Sequence, residues 1–151
     1  MHAIKSLFLC VLLLGGSFLL NSCKSTEAIE REWSIEKLEY GGGGGFAGTY
    51  TYFLLDNKRQ LFHKLSETKL QLIDTITNED MAEINLLARK LIDSGVSQDR
   101  NGNMTFRIVI WTKNGQNSYK WADETETAKK EIADLYIKLK EIRNPLMPVE
   151  K

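Results

Sequence analysis

The stretch "MTFRIVIWTKNGQNSYKW", Met104 to Trp121, holds the strongest local structural signal in the chain. Two alternating runs flank Asn114-Gly115, a dipeptide that favours a type I′ turn between antiparallel strands. With these two residues as the loop, Lys113 pairs with Gln116. Counting back then places five apolar residues on one face of the hairpin: Phe106, Ile108, Ile110, Tyr119 and Trp121. The turn and the apolar pattern therefore predict the same hairpin independently.

The other face of this hairpin carries Trp111 among less apolar neighbours, which are Arg107, Val109, Ser118 and Lys120. A tryptophan on such a face is either covered by a tail or tether or belongs to a contact surface. Trp111 is therefore a candidate binding residue.

Two helices are predicted from apolar spacing and capping residues. Thr77 and Asp80 resemble a capping box, and Ile76 can pack on Met81 as a hydrophobic staple. This first helix carries one apolar stripe and ends near Gly95. The second helix is predicted over 125–143 and ends at Asn144-Pro145.

Three further strands are predicted before the first helix, over 33–40, 49–55 and 60–65. The first changes phase between Ile35 and Leu38, which suggests a β-bulge. The predicted order is βββαββα. This order favours an α+β domain, in which an antiparallel sheet of about five strands carries both helices on one face.

The N-terminus reads as a lipoprotein signal peptide. Lys5 precedes a short apolar run that ends in Leu20-Asn21-Ser22-Cys23, which resembles a bacterial lipobox. We expect cleavage after residue 22 and lipidation of Cys23, although ordinary secretion with a free Cys23 thiol is the alternative. Lys24 is not the aspartate that retains lipoproteins at the inner membrane, so the outer membrane of the cell envelope is favoured.

Removal of residues 1–22 from the 151 leaves 129 residues with 19 basic and 20 acidic side chains. This balance, without a basic block, argues against a nucleic-acid partner. The length fits a tether over 23–31, one domain over 32–145 and a C-terminal tail over 146–151.

Five consecutive glycines in "YGGGGGFAGTYTYF", Tyr40 to Phe53, need a physical reason because glycine is costly to order. A flexible tether, a phosphate cradle and a backbone that something approaches closely are the three options. Gly43, Gly45 and Gly48 match G-x-G-x-x-G, but a strand follows them where a dinucleotide site needs a helix. We expect an ordered, broad loop whose bare backbone is open to a partner.

Catalytic and metal-binding patterns find no support in the residues. His63 remains the one histidine after processing and lacks partners at the spacing of a zinc site or a triad, so we expect it to face solvent from a strand. We predict that the protein is not an enzyme and that it has no cofactor and no metal ligands.

The "GGFAG" element, Gly44 to Gly48, together with the order of strands and helices, resembles the emfourin family of small inhibitors of thermolysin-like metallopeptidases. The chain is also similar to short Bacteroidetes lipoproteins that have a glycine-rich loop before a strand rich in tyrosine and threonine. The resemblance implies a non-enzymatic, protein-binding domain. The expected binding residues are Gly43, Gly44, Gly45, Phe46, Ala47, Gly48 and Trp111.

Two functional classes follow. The first is a membrane-anchored lipoprotein with a protein-binding domain, whose partner could be a metallopeptidase that it inhibits. The second is an accessory or structural envelope lipoprotein, in which the glycine segment is merely a wide turn.

Overall fold

The computed structural model describes residues 34–45, 48–122 and 128–146, all within the compact unit that begins at Ser34. These residues form six strands, which are β1 (Ile35–Gly44), β2 (Thr49–Asp56), β3 (Gln60–Lys64), β4 (Leu70–Thr75), β5 (Met104–Thr112) and β6 (Gly115–Ala122). Helix α1 (Asn78–Asp93) follows β4, and helix α2 (Lys130–Arg143) follows β6 and continues as a short 3-10 helix, Asn144–Leu146. The predicted signal peptide, Cys23 and the tether lie outside the described residues.

The strands form one antiparallel sheet in the order β4-β3-β2-β1-β5-β6. The two helices pack together and cover one face of it. The prediction of an α+β domain with an antiparallel sheet and two helices is therefore confirmed. The predicted count of about five strands is one too low, because the sequence carries no clear signal for β4.

Strand β1 lies at the centre and pairs with β2 on one side and β5 on the other. Its pairing with β5 shifts between Ile35 and Lys37, which confirms the predicted bulge. The strand does not stop at Tyr40, however, but continues through Gly44. The prediction of a broad glycine loop over this segment is therefore wrong for Gly41 to Gly44.

The glycines of β1 give space to the protein's own neighbouring strands. A Cβ atom added at Gly42 would overlap the ring of Phe106, which lies directly opposite on β5. A Cβ at Gly43 would overlap the backbone carbonyl of Thr49 on β2. An aromatic ring packed over a cross-strand glycine compensates for the side chain that the glycine lacks. Close approach is thus the reason for this run, and the approaching groups belong to the same chain.

The β5–β6 hairpin has the predicted faces but a different register. Thr112 pairs with Gly115, so Lys113 and Asn114 are the two loop residues. The hydroxyl of Thr112 accepts a hydrogen bond from the Asn114 N–H at 3.2 Å, which fixes Thr112 at the corner of the turn. This register differs from the predicted one by two residues. Because side chains alternate with a period of two, the predicted apolar face is preserved.

Helix α1 begins and ends where the sequence predicts. The hydroxyl of Thr77 accepts from the N–H of Asp80 at 3.0 Å, and Ile76 and Met81 are both buried. Gly95 follows the helix with φ +64°. Helix α2 begins at Lys130, with Lys129 as its N-cap, rather than at Thr125 as predicted.

The core lies between the helices and the sheet. Tyr136 of α2 packs edge-on against Trp121 at 5.0 Å and against Phe106 at 5.9 Å between ring centroids. Tyr40 of β1 donates a hydrogen bond from its hydroxyl to the Leu139 carbonyl at 3.3 Å. The central strand is thereby joined directly to α2, and its polar group is satisfied inside the core.

Candidate functional site

The sheet surface opposite the helices, named here the open face, carries the candidate site. Alternation and register place on it Lys37, Glu39, Tyr50, Tyr52, Leu54, Phe62, Lys64, Leu70, Leu72, Arg107, Val109 and Trp111. Antiparallel sheets commonly turn one face to water, and such a face is normally polar. Eight of these twelve side chains are aromatic or aliphatic, while β6 adds the polar side chains of Gln116, Ser118 and Lys120.

An ion cluster lies at the centre of the open face. Glu39 is buried, and its carboxylate accepts from the Lys64 ammonium at 2.9 Å and from the Arg107 guanidinium. Lys64 lies on β3, Glu39 on β1 and Arg107 on β5, and strand β2 lies between β3 and β1. Two cations thus share one buried carboxylate, which leaves one surplus positive charge among the three residues. The exposed carboxylate of Glu67 forms an ion pair with Lys64 and balances this charge.

The charged form of Lys64 is favoured by its partners. Burial lowers the pKa of Lys64, but hydrogen bonds to Glu39 and Glu67 outweigh it, so the net pKa lies above the ordinary 10.5. Lys64 therefore stays cationic over the whole physiological pH range.

Aromatic rings flank the ion cluster on β2. The Arg107 guanidinium lies over the Tyr52 ring at 4.6 Å from its centroid, and Tyr50 stacks on Tyr52 at 6.1 Å. Burial raises the pKa of Tyr52, while the nearby Arg107 charge lowers it to a smaller extent. The phenol is therefore neutral and available as a hydrogen-bond donor, and Tyr50, 53 % exposed, presents a wide apolar surface beside it.

Trp111 lies on the open face, as the hairpin pattern predicts. It is half-buried, and the Lys37 ammonium sits 4.0 Å from the centroid of its ring. A cation–π contact of this kind contributes about 0.5–1 kcal/mol at an exposed site. Trp111 lies at the end of the open face that is nearest the start of β1.

The predicted glycine site does not form one loop: part of it lies in strand β1 and part in the turn that follows β1. Gly43 and Gly44 belong to β1, and Gly43 is buried, so neither offers the bare loop backbone that was expected. Gly45 donates to the Asn103 carbonyl at 2.8 Å, and the Gly48 N–H donates to the Gly45 carbonyl at 3.2 Å. The turn is therefore confined to the end of the run. Phe46, Ala47 and Cys23 lie outside the described residues.

Sequence reasoning places Trp111 on this face but misses the ion cluster and the leucines of β4. Leu70 and Leu72 are 45 % and 51 % exposed beside Lys64 and Phe62. Alternation after Leu38 and Tyr40 does assign Glu39 to the open face. Its meeting with Lys64 and Arg107 depends on the pairing of distant strands, which no local pattern reveals.

The prediction that His63 faces solvent is wrong. It is half-buried in β3 on the helix-covered side of the sheet, where its ring stacks on Phe53 at 5.2 Å. In the described part of the chain, no group of three or more histidine, cysteine or acidic side chains is arranged to hold a metal ion.

Membrane spans and known relatives were also sought. Within residues 34–45, 48–122 and 128–146, no helix is both long enough and apolar enough to span a bilayer. No protein-family model matches the chain, and no curated protein matches it.

Proposed function

We propose that this protein is a non-enzymatic binding module of the bacterial cell envelope, anchored by a lipid on Cys23, and that its open face contacts a protein partner. The observation that carries the proposal is the mixture of exposed apolar groups and buried charge on a sheet face that the described helices leave uncovered. Aromatic residues and arginine are the side chains most enriched where protein contacts are strong.

The chemistry of the open face specifies the kind of partner. Tyr50, Tyr52 and Trp111 offer rigid apolar area, and Lys37 forms no ion pair with any described residue. Glu39 and Glu67 balance the charges of Lys64 and Arg107, so Lys37 is the cation of the open face that a carboxylate of the partner can meet. The face therefore suits apolar side chains accompanied by a carboxylate. We therefore expect a folded protein surface or segment with an acidic rim.

Inhibition of a thermolysin-like metallopeptidase is the more specific form of this proposal. It rests on the resemblance of Gly44–Gly48 to the emfourin family, together with the turn that Gly45 and Gly48 close. In this form the turn and the open face, rather than the glycines inside β1, meet the peptidase. The accessory lipoprotein, with a different envelope protein as partner, is the alternative.

Titration of a purified thermolysin-like metallopeptidase with the full-length protein in detergent separates these two forms. We expect inhibition that Trp111→Ala weakens at least about tenfold, as loss of an aromatic anchor does. Leu86→Ala is the matched control, because Leu86 is 66 % exposed on α1, away from the open face. Absence of inhibition by the folded protein would contradict the inhibitor form and favour the accessory one.

A further inference from the structure

The two edges of the sheet differ in how they are protected. At the β6 edge, the Lys120 N–H donates to the Gln98 carbonyl at 2.8 Å and the Arg100 N–H donates to the Lys120 carbonyl at 3.1 Å. The segment before β5 therefore covers that edge at Lys120. At the β4 edge, no described residue pairs with the outer side of Leu70–Thr75.

The uncovered edge lacks the usual protection against pairing. Edge strands are normally protected by lysine, proline or a covering segment, because their free N–H and C=O groups bind other strands. Strand β4 reads LQLIDT, with neither lysine nor proline, and its shift in pairing with β3 comes only after Leu72. Leu70 and Leu72 project from it half-exposed onto the open face.

We propose that β4 pairs antiparallel with β4 of a second copy of this chain, so that the two sheets join into one continuous sheet across a two-fold axis. The pairing places Gln71 opposite Gln71 of the second copy. Leu70 then lies opposite Leu72 of the second copy, and the symmetry repeats this contact. Four leucines meet in one apolar cluster on the open face.

Other registers fit less well. A one-residue shift would set side chains of opposite faces against each other, which pleated pairing forbids. A two-residue shift in one direction places Leu70 against Asp74, and in the other direction places Leu72 against Thr68. The register centred on Gln71 is the one that buries both leucines.

The charges beside β4 favour antiparallel pairing, and they favour a second copy of this chain as the pairing partner. Lys69 lies immediately before β4 and Asp74 near its end, and both are exposed. Antiparallel pairing about Gln71 brings Lys69 beside the Ile73–Asp74 end of the other strand, twice by symmetry. Because the two-fold pairing uses the β4 edge of both copies, the assembly closes as a dimer.

Disulfide cross-linking of the full-length chain tests the pairing. Directly opposite residues of antiparallel strands have Cα atoms about 4.5–5.5 Å apart, which a disulfide can bridge. Gln71→Cys should therefore give a covalent homodimer under mild oxidation. The wild-type chain controls for its own cysteines, and Gln116→Cys is the matched control, an exposed glutamine on the β6 edge. Neither control should give the dimer.

Adding Leu72→Lys to the Gln71→Cys chain should lower the cross-linked fraction about tenfold, because two leucine pairs are lost and charge enters the cluster. Leu72 is half-exposed, so the melting temperature of the chain should be unchanged. Cross-linking of folded Gln71→Cys no greater than that of Gln116→Cys would overturn the proposal. So would capture of a different protein through the thiol introduced at position 71 in place of the homodimer.

Discussion

The glycines of β1 show most clearly what one residue contributes here. Gly43 has the Thr49 carbonyl where its Cβ would be, whereas a Cβ on Gly48 would meet nothing within 4 Å. Overpacking a tight site costs typically about 1–3 kcal/mol. We expect Gly43→Ala to lower the free energy of unfolding by about 3 kcal/mol, the upper end of this range, because its Cβ would overlap backbone atoms; chemical denaturation measures the loss.

Gly48→Ala is the control for that measurement. It should cost about 1 kcal/mol, because Gly48 has φ +60°, but it creates no overlap. Equal losses from the two variants would contradict the tight packing of β1 against β2.

The two tryptophans of the hairpin should also differ. Trp121 is fully buried against Tyr136 and Phe106, while Trp111 is half-buried on the open face. Trp121→Ala should therefore destabilise the domain by roughly 3–5 kcal/mol, and Trp111→Ala by much less. Urea titrations of both variants measure the difference, and similar midpoints would show that the assignment of faces is wrong.

Tyr40 should make the protein sensitive to alkaline pH. Burial raises its pKa well above the ordinary 10.0, with the Arg143 charge opposing this to a smaller extent. The unfolded chain ionises first, so this stabilisation is complete below pH 10 and is lost as pH rises above it. Tyr40→Phe should flatten the fall of unfolding free energy above pH 10, although Tyr52 and Tyr119, whose pKa values are also raised by burial, keep part of it. An unchanged slope would contradict the buried phenol.

At the scale of elements, prediction succeeds where local chemistry decides. The faces of the β5–β6 hairpin survive a two-residue error in register because alternation is local and has a period of two. The cap of α1 at Thr77 is predicted correctly because a capping hydroxyl acts within three residues. Both features need no knowledge of the rest of the chain.

Prediction fails where tertiary pairing decides. Glycine is a poor strand former, so the sequence predicts a loop at Gly41–Gly44, yet pairing with strands on both sides holds them in β1. Strand β4 is short, and its sequence LQLIDT carries no distinct period or turn signal. The ion cluster of Glu39, Lys64 and Arg107 combines both difficulties, because its members are distant in sequence and their strands have first to be aligned.

The N-terminus of α1 gives a prediction at this same scale. The Thr77 hydroxyl accepts from the Asp80 N–H and also donates to the Asp80 carboxylate at 2.8 Å. Thr77→Ala should cost about 1 kcal/mol of unfolding free energy. Thr77→Ser, which keeps the hydroxyl, is the matched control, and an equal loss in both would show that the cap does not stabilise the helix.

At the scale of the whole molecule, one face of the sheet packs against the helices to form the core, and the other face is the open face. We expect the anchor on Cys23 to hold this domain at the membrane. Cys23→Ser should move the protein from the membrane fraction to the soluble fraction, as fractionation and intact-mass analysis would show. Retention in the membrane with the same processing would contradict lipidation.

Site-specific photo-cross-linking in intact cells tests the contact role of the open face most directly. A photoreactive residue at Tyr50 lies on the open face two strands away from the β4 edge, so it reports on a heterologous partner rather than on pairing between copies. The same residue at Leu86 on α1 is the control. We predict one discrete cross-linked protein from position 50, with none from position 86, and its yield should fall in a Trp111→Ala background. Equal labelling from both positions, or none from position 50 in a folded chain, would contradict the open face as the binding surface.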